Sequence, residues 1–421
     1  MYALIDCNSF FASVEKAFHP GLEGKPVCVL SSNDGNIVAL TPEAKALGIR
    51  RGDPLFKVKD RIEANNVAVF SGNIMLYAAM SRRVTNIIRQ SVDVVENYSI
   101  DESFCNLAGY EKLYDIEEYM RSVREKIKLW TDIPVSIGVA PTRTLAKVGS
   151  KFAKQYRGYR GVCLIDSDEK RRRALQLFDL SDVWGVGRRS FEKLQSYGIK
   201  TPLQFADMDE RWVRRHFSKP GVQTWRELNG ISCIDTAEVL QRQSITTSRS
   251  FGEMISDKEQ LKASIASFTS SCANTLRSQN SLAGTISVFA LSNRFREDLE
   301  QYSNMGTMEL PVPTADTLEL TDAAMKLVDQ IFKPGIMYKK SGVILGKIVS
   351  GGVQQILFDP VANRDERQQL SMTMDNLNHR FGLKTIRLAV EGEKDEKWKV
   401  KSEFRTPNYL TDIRELLTVK I

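Results

Sequence analysis

The sequence predicts a multidomain α+β protein, and three observations carry that. The chain has 421 residues, enough for several domains of roughly 100–200 residues each. Short apolar strand-like runs alternate with amphipathic helical stretches over the first 165 residues or so. The text then turns helical and basic, and beyond residue 241 it turns strand-rich again, with two helical stretches between the strands. The six cysteines are scattered, with no CxxC pair and no metal-ligand spacing, and the three histidines are isolated. A metal held by this chain would therefore be a hard cation on carboxylate oxygens. No apolar run reaches the ~18 residues of a membrane span. The N-terminus lacks a secretory pattern, because Asp6 interrupts its apolar run. A reducing cytoplasm is the expected compartment.

Tyr2–Cys7 reads as a short buried strand that carries Asp6 near its end, broken by Asn8-Ser9. A helix follows from Phe10, with Ser9 as its expected N-cap. A carboxylate at the end of a buried strand is costly unless it is paired or bound to metal. The N–H groups of the following turn are placed to meet an oxyanion. A capping Asp in a turn carries the same local text.

Residues 24–75 read as a compact unit of their own. Val27–Leu30 and Ile37–Leu40 are strands around a turn at Asn33-Asp34-Gly35-Asn36. A short helix begins near Pro42, a favourable first-turn residue, carries Lys45 and ends at Gly48. Residues 76–92 form an amphipathic helix, with Met80, Val84, Ile87 and Ile88 on one side.

The segment Asn97-Tyr98-Ser99-Ile100-Asp101-Glu102-Ser103-Phe104 sets two carboxylates side by side between strand-favouring residues. Neighbours in a regular strand point to opposite faces, so both acids serve one site only at a bend such as a hairpin tip. Alone, the pair also fits a solvated turn. A helix is expected over about 114–130, and Val135–Ala140 is a further buried strand.

In the next helix Arg143, Lys147, Lys151 and Lys154 fall within about 80° on a helical wheel, with Leu145, Val148 and Phe152 opposite. Like charges at this spacing cost a few tenths of a kcal/mol each, and an anionic partner would offset that. Residues 143–173 hold ten bases against three acids, an excess equal to the +7 of the whole chain. Such a zone suits phosphate or nucleic acid, and equally a solvated surface.

Val183-Trp184-Gly185-Val186-Gly187-Arg188-Arg189 runs into a helix that stops at Gly198, which reads as a helix-hairpin-helix. Its glycines admit a phosphate close to the backbone, and its arginines supply charge, so it would grip duplex without reading bases. A second helical pair spans Glu210 to Gly230. From 241 to 350, strands are expected at Ser244–Ser248, Gly284–Phe289 and Val343–Gly346, with helices near 258–278 and 317–332. A polar tail begins at Gly351-Gly352. Within it, Gln354-Gln355-Ile356-Leu357-Phe358-Asp359 is a small apolar plug, suited to a partner's pocket or to packing on its own domain.

These residues resemble a known family. Asp6-Cys7-Asn8-Ser9-Phe10-Phe11-Ala12-Ser13-Val14-Glu15, then Tyr98-Ser99-Ile100-Asp101-Glu102, then Gly138-Val139-Ala140 with the helix to Lys154, are similar in order and spacing to the Y-family translesion DNA polymerases. Ser31–Gly35, Glu43–Gly48, Asp182–Arg189, Ser248–Gly252 and the long tail resemble the UmuC class, the catalytic subunits of bacterial DNA polymerase V. The resemblance implies a right-hand polymerase: palm at 1–23 and 76–167, small fingers at 24–75, helical thumb at 168–235, an α+β little finger at 241–350 and a C-terminal tail at 351–421.

It also implies roles. Asp6, Asp101 and Glu102, with the Cys7 carbonyl, would hold two Mg²⁺ ions. Phe10 and Phe11 would lie against the incoming nucleotide, Phe11 as the steric gate under the sugar. Lys45 and Lys154 would contact the triphosphate. Lys45 stands where the family often has Arg and cannot make the planar fork. Pro42 stands where many relatives carry a phosphate-bonding Tyr. Asn36 and Val38 would roof the nascent base pair. Gly185, Gly187, Arg188 and Arg189 would hold DNA. Gln354, Leu357 and Phe358 would dock on the sliding clamp. The implied partners are primed DNA template, deoxynucleoside triphosphates, the clamp, a UmuD′-like dimer and a recombinase filament, with no membrane.

The implied function is error-prone, unproofread synthesis past damaged template in the SOS response to DNA damage. Two other readings stand beside it: a catalytically silent DNA- and clamp-binding regulator, and a palm-fold nucleotidyl cyclase or other metal-dependent nucleotidyl transferase. The three carboxylates and the gate argue against the first. The hairpin domain argues against the second, because a cyclase has no duplex to grip.

Overall fold

The computed structural model describes residues 1–235, 242–351, 361, 363–382, 384–392 and 398–417. They fall into two compact units, Met1–Val239 with Glu403–Ile421, and Leu240–Ser402. Among the described residues no helix is long and apolar enough to cross a membrane.

The first unit is built from β1 (Tyr2–Cys7), α1 (Phe10–Phe18), β2 (Val27–Leu30), β3 (Ile37–Leu40), α2 (Pro42–Ala46), α3 (Leu55–Ala64), β4 (Ala68–Ser71), α4 (Ile74–Arg89), β5 (Val94–Asn97), β6 (Glu102–Asn106), α5 (Ile116–Thr131), β7 (Val135–Ala140), α6 (Arg143–Gln155) and β8 (Val162–Leu164). The helices α7 (Asp168–Leu177), α8 (Arg188–Ser196), α9 (Pro202–Ala206), α10 (Glu210–His216) and α11 (Lys219–Leu228) follow.

A five-stranded sheet, ordered β5-β6-β1-β7-β8, is its centre. β1 is sandwiched antiparallel between β6 and β7 and is buried on both faces, which is why Ala3-Leu4-Ile5 reads as an unbroken apolar run. Alternation divides its side chains. Ala3, Ile5 and Cys7 join the core built with α1, α4 and α5, through Tyr77, Met80, Val84, Met120, Val123 and Ile127. Leu4 joins Phe104 of β6 in the core under α6, with Leu145, Val148 and Phe152.

α6 packs closely on β7 through two glycines. A Cβ on Gly138 would lie 2.0 Å from the Ala146 carbonyl oxygen and 2.0 Å from the Ser150 nitrogen, and facing Gly149 is itself 3.1 Å from Gly138 by the same measure. Only a glycine pair permits this approach, and it is what sets the height of α6 above the strand ends. Gly138→Ala is expected to cost about 3 kcal/mol by overpacking against backbone, read as a fall in Tm of roughly 10 °C in thermal unfolding.

The three-stranded sheet β3-β2-β4, with α2 and α3, forms a satellite core from Cys28, Leu30, Ile37, Leu40, Ile49, Val58 and Ile62. Thr41 caps α2 by accepting from Ala44 N–H, with Pro42 in the first turn. α3 and β4 go beyond the sequence reading, because α3 buries only Val58 and Ile62 and carries little periodic signal.

Two expectations need correction. Ser9 does not cap α1 with its side chain; it sits in the left-handed region at φ 47°, and its turn is instead tied by Ser13 Oγ donating to the Asn8 carbonyl at 2.7 Å. The first arm of the expected helix-hairpin-helix is a single 3₁₀ turn at Leu180–Asp182, and only the second arm, α8, is a full helix.

The second unit is a four-stranded antiparallel sheet, β11-β10-β12-β9, made of β9 (Ile245–Ile255), β10 (Ser281–Ser292), β11 (Ser303–Thr314) and β12 (Tyr338–Ser350). α12 (Lys258–Ser278) and α13 (Thr317–Ile331) share its core through Leu261, Ile265, Phe268, Leu320, Leu327 and Val328. β11 is an edge strand, so Pro311 and Pro313 are tolerated there, and those prolines hide it in the sequence. The region after Gly351 is more than a polar tail. α14 (Arg364–Phe381) is held by Arg277 to Asp375 at 2.6 Å and Arg364 to Glu319 at 3.0 Å, and Trp398 is buried against Phe268. Gln354, Leu357 and Phe358 lie outside the described residues.

Candidate active site

The carboxylates are gathered by register. Asp6 of β1 stands directly opposite Glu102 of β6. Asp6 follows Leu4, and Glu102 precedes Phe104, by one period of two, so both acids share the α6 side of the sheet. Asp101 occupies the hairpin bend between β5 and β6, as the flanking strand text predicts. Ser99 holds that bend: its Oγ donates to Asp101 Oδ1 at 2.5 Å and accepts from Glu102 N–H at 3.0 Å. The Asp101 carbonyl accepts from Cys7 N–H at 2.9 Å, which stitches the bend to the end of β1. The N–H groups of Cys7 and Asn8 are thereby spent, the latter on the Pro134 carbonyl at 2.8 Å. Those two groups are therefore not available to an oxyanion, and the expectation for this turn rests on the N–H groups at the start of α1.

A cleft of about 350 Å³ opens here. Asp6, Cys7, Phe10, Phe11, Asp101 and Lys154 line it from the sheet and its helices, and Val38, Lys45 and Arg51 line it from the smaller sheet unit. Burial pushes the Asp6 carboxyl above its ordinary value; Lys154 opposes that and the Asp101 charge adds to it. Burial holds the Cys7 thiol protonated, so the residue has a carbonyl rather than a thiolate to offer a hard cation. Phe10 is buried as part of the core, whereas Phe11 is partly exposed and stacks on Tyr77 with ring centroids 4.5 Å apart. Asn36 is not among the lining residues; it bridges to Pro54. Arg51, which the sequence reading passed over, stands just past the Gly48 turn and adds a third cation to Lys45 and Lys154.

The basic face of α6 has internal partners. Lys154 Nζ lies 2.8 Å from Asp6 Oδ1, Lys147 Nζ lies 2.8 Å from Glu102 Oε1, and Lys151 pairs with Asp182. Arg143 is buried, 3.2 Å from Glu96, with its guanidinium over the Tyr2 ring. Its role is structural, and of the four bases only Lys154 lines the cleft. Among the described residues no three acidic, histidine or cysteine side chains form a ready-made metal cage. In the hairpin, Gly185 takes φ +93° and a Cβ there would lie 2.2 Å from Thr224 Oγ1, so packing demands this glycine. Trp184 Nε1 donates to Tyr98 Oη at 3.1 Å. Arg188 and Arg189 are exposed at the start of α8, Arg188 paired with Glu192.

Comparison with known proteins decides the family. The impB/mucB/samB family matches residues 5–151, and its C-terminal domain matches residues 242–358. Protein UmuC of Salmonella typhimurium is 40% identical over 423 residues, covering 100% of both chains. The chain belongs to the impB/mucB/samB family. Protein ImpB of Salmonella typhimurium is 38% identical, with 99% of each chain covered. The fold is similar to that of a Y-family DNA polymerase chimera of Dbh and Dpo4, with a TM-score of 0.65 at 21% identity over 83% of this chain and 99% of that one. The architecture is thus the palm, fingers, thumb and little finger of Y-family polymerases, and the chain is a UmuC-class translesion DNA polymerase of the SOS response. A domain of unknown function matches residues 368–419.

Proposed function

We propose that the cleft at Asp6 and Asp101 extends a primed DNA strand by template-directed nucleotidyl transfer and accepts damaged template bases. The observation that carries this is that Asp6 and Asp101 line one cleft with Lys154, Lys45 and Arg51, while Glu102 stands opposite Asp6 in register without itself lining the cleft. Asp6 and Asp101 beside Lys154, with Lys45 and Arg51 brought by the smaller sheet unit, suit a metal-bound triphosphate.

The donor set fits hard cations. Asp6, Asp101 and Glu102, with the Cys7 carbonyl, would hold two Mg²⁺ ions. When bound, such ions supply Lewis acidity, which favours ionisation of the primer 3′-hydroxyl and neutralises the triphosphate. The chain's own residues do the rest. Lys154 and Lys147 neutralise Asp6 and Glu102. Lys154, Lys45 and Arg51 hold and orient the triphosphate by charge. Phe11 closes the floor under the sugar and excludes a 2′-hydroxyl. Gly185, Gly187, Arg188 and Arg189 contact duplex backbone.

The palm is assigned to 1–23 and 76–167, the fingers to 24–75, the thumb to 168–235, the little finger to 241–350 and the tail to 351–421. Gln354, Leu357 and Phe358 are assigned to the sliding clamp, which would raise the effective concentration at the primer end. A UmuD′-like dimer and a recombinase filament are the further partners, and the cytoplasm is the compartment.

The fingers bring only Val38, Ala39, Leu40, Lys45 and Arg51 to the cleft. Few contacts on the nascent pair mean weak selection. Single-nucleotide insertion opposite an undamaged base is expected to favour the correct base by roughly 10²-fold in kcat/KM, the order a loosely closed pocket gives. Selectivity as high as a replicative polymerase's would overturn the error-prone reading.

A further inference from the structure

The C-terminal segment returns to the first unit, and its contacts converge on the helix that carries Phe11. Glu403 N–H donates to Asp34 Oδ2 at 2.8 Å. Phe404 and Ser71 exchange hydrogen bonds: Phe404 N–H to Ser71 Oγ at 2.9 Å and Ser71 N–H to the Phe404 carbonyl at 3.0 Å. Ser71 ends the edge strand β4, so these two bonds tie the segment to the edge of the small sheet. Asn73, whose Oδ1 caps α4, donates through Nδ2 to the Thr406 carbonyl at 2.9 Å.

Thr406 is itself buried, and its Oγ1 donates to Glu15 Oε1 at 3.2 Å. Glu15 is completely buried on α1. The same Oε1 accepts from Tyr77 Oη at 2.6 Å, while Oε2 has no hydrogen-bond partner. A buried carboxylate held on one oxygen by two hydroxyls depends on both, because an unsatisfied buried acceptor is expensive. Burial already pushes the Glu15 carboxyl above its ordinary value. Tyr77 stacks on Phe11 at 4.5 Å and 18° between planes, and Phe11 and Glu15 are neighbours one turn apart on α1. Tyr409 stacks on Phe18 at 5.0 Å, which anchors the other end of the same helix.

We propose that Glu403–Tyr409 is a strap that seats the sugar gate, with Thr406 and Tyr77 as positioning residues that fix the Phe11 ring through the buried Glu15 carboxylate. This gives part of the 368–419 domain a function: it sets sugar selectivity from outside the cleft. The inference rests on the reading of Phe11 as the gate.

The test is single-nucleotide insertion of dCTP and of CTP opposite template guanine by the full-length chain, with Mg²⁺ and its accessory partners supplied. Thr406→Val keeps the shape and removes the donor; Thr406→Ser restores it; Tyr77→Phe keeps the ring and removes the hydroxyl. Phe11→Ala is the control for the gate. Thr406→Val and Tyr77→Phe are each expected to lower the dCTP-to-CTP ratio of kcat/KM about tenfold, mainly by raising CTP insertion, with Thr406→Ser near native. A strap that merely stabilises the fold would lower both nucleotides together. If Phe11→Ala collapses the ratio while Thr406→Val and Tyr77→Phe leave it unchanged, the strap proposal is wrong and the gate stands. If Phe11→Ala itself leaves the ratio unchanged, the gate reading fails and the strap has nothing to seat.

Discussion

Replacing Asp101 and Glu102 together by alanine is expected to reduce the single-turnover rate of primer extension by at least about a thousandfold, roughly 4 kcal/mol of lost transition-state stabilisation. Asp101 lines the cleft from a bend held by Ser99 and by Cys7 N–H, and Glu102 stands opposite Asp6 in register. Neither side chain supports the core: the buried members of this hairpin are Ser103, Phe104 and Cys105. The double variant should therefore fold and keep its affinity for primed template. Rapid-quench extension beside a template-binding titration separates the two properties. Loss of both together would point to a collapsed palm rather than to missing charge.

The second large effect lies at Phe11. Phe11→Ala should raise ribonucleotide insertion so that sugar discrimination falls by about a hundredfold, near 2.7 kcal/mol. The ring is partly exposed at the cleft and supported from behind by Tyr77, so its removal opens space without leaving a buried polar group bare. Stability should fall less than for a fully buried phenylalanine such as Phe104. Competitive insertion of matched deoxy- and ribonucleotides reads the effect directly.

Much of this site was legible because its signals are local. Strand-favouring residues flank Asp101-Glu102, so the two acids serve one site only at a bend, and Asp6 at the end of an apolar run is costly without a partner. What brings Asp6 opposite Glu102 is strand register across almost a hundred residues, and no local pattern records it. The α6 bases show the opposite failure. Their clustering on one face was plain, yet their partners Glu96, Glu102, Asp182 and Asp6 come from distant segments, so an apparent phosphate stripe is mostly internal pairing.

The prolines of β11 argue against a strand anywhere but at a sheet edge, and edge position is a tertiary property. The C-terminal strap was invisible for a related reason. Phe404-Arg405-Thr406-Pro407-Asn408-Tyr409 has no periodicity, and its meaning lies in the β4 edge and the Glu15 carboxylate that it meets.

Copying of damaged template through Asp6, Asp101 and Glu102 is the activity proposed for this cleft. The most direct measurement is Mg²⁺-dependent extension of a primed template bearing one abasic site, with clamp and accessory dimer supplied. The native chain and the Asp101→Ala, Glu102→Ala variant are run side by side. Extension past the site by the native chain alone is the predicted result. No extension by either, with template binding intact, would contradict the account and leave a silent DNA- and clamp-binding regulator in its place.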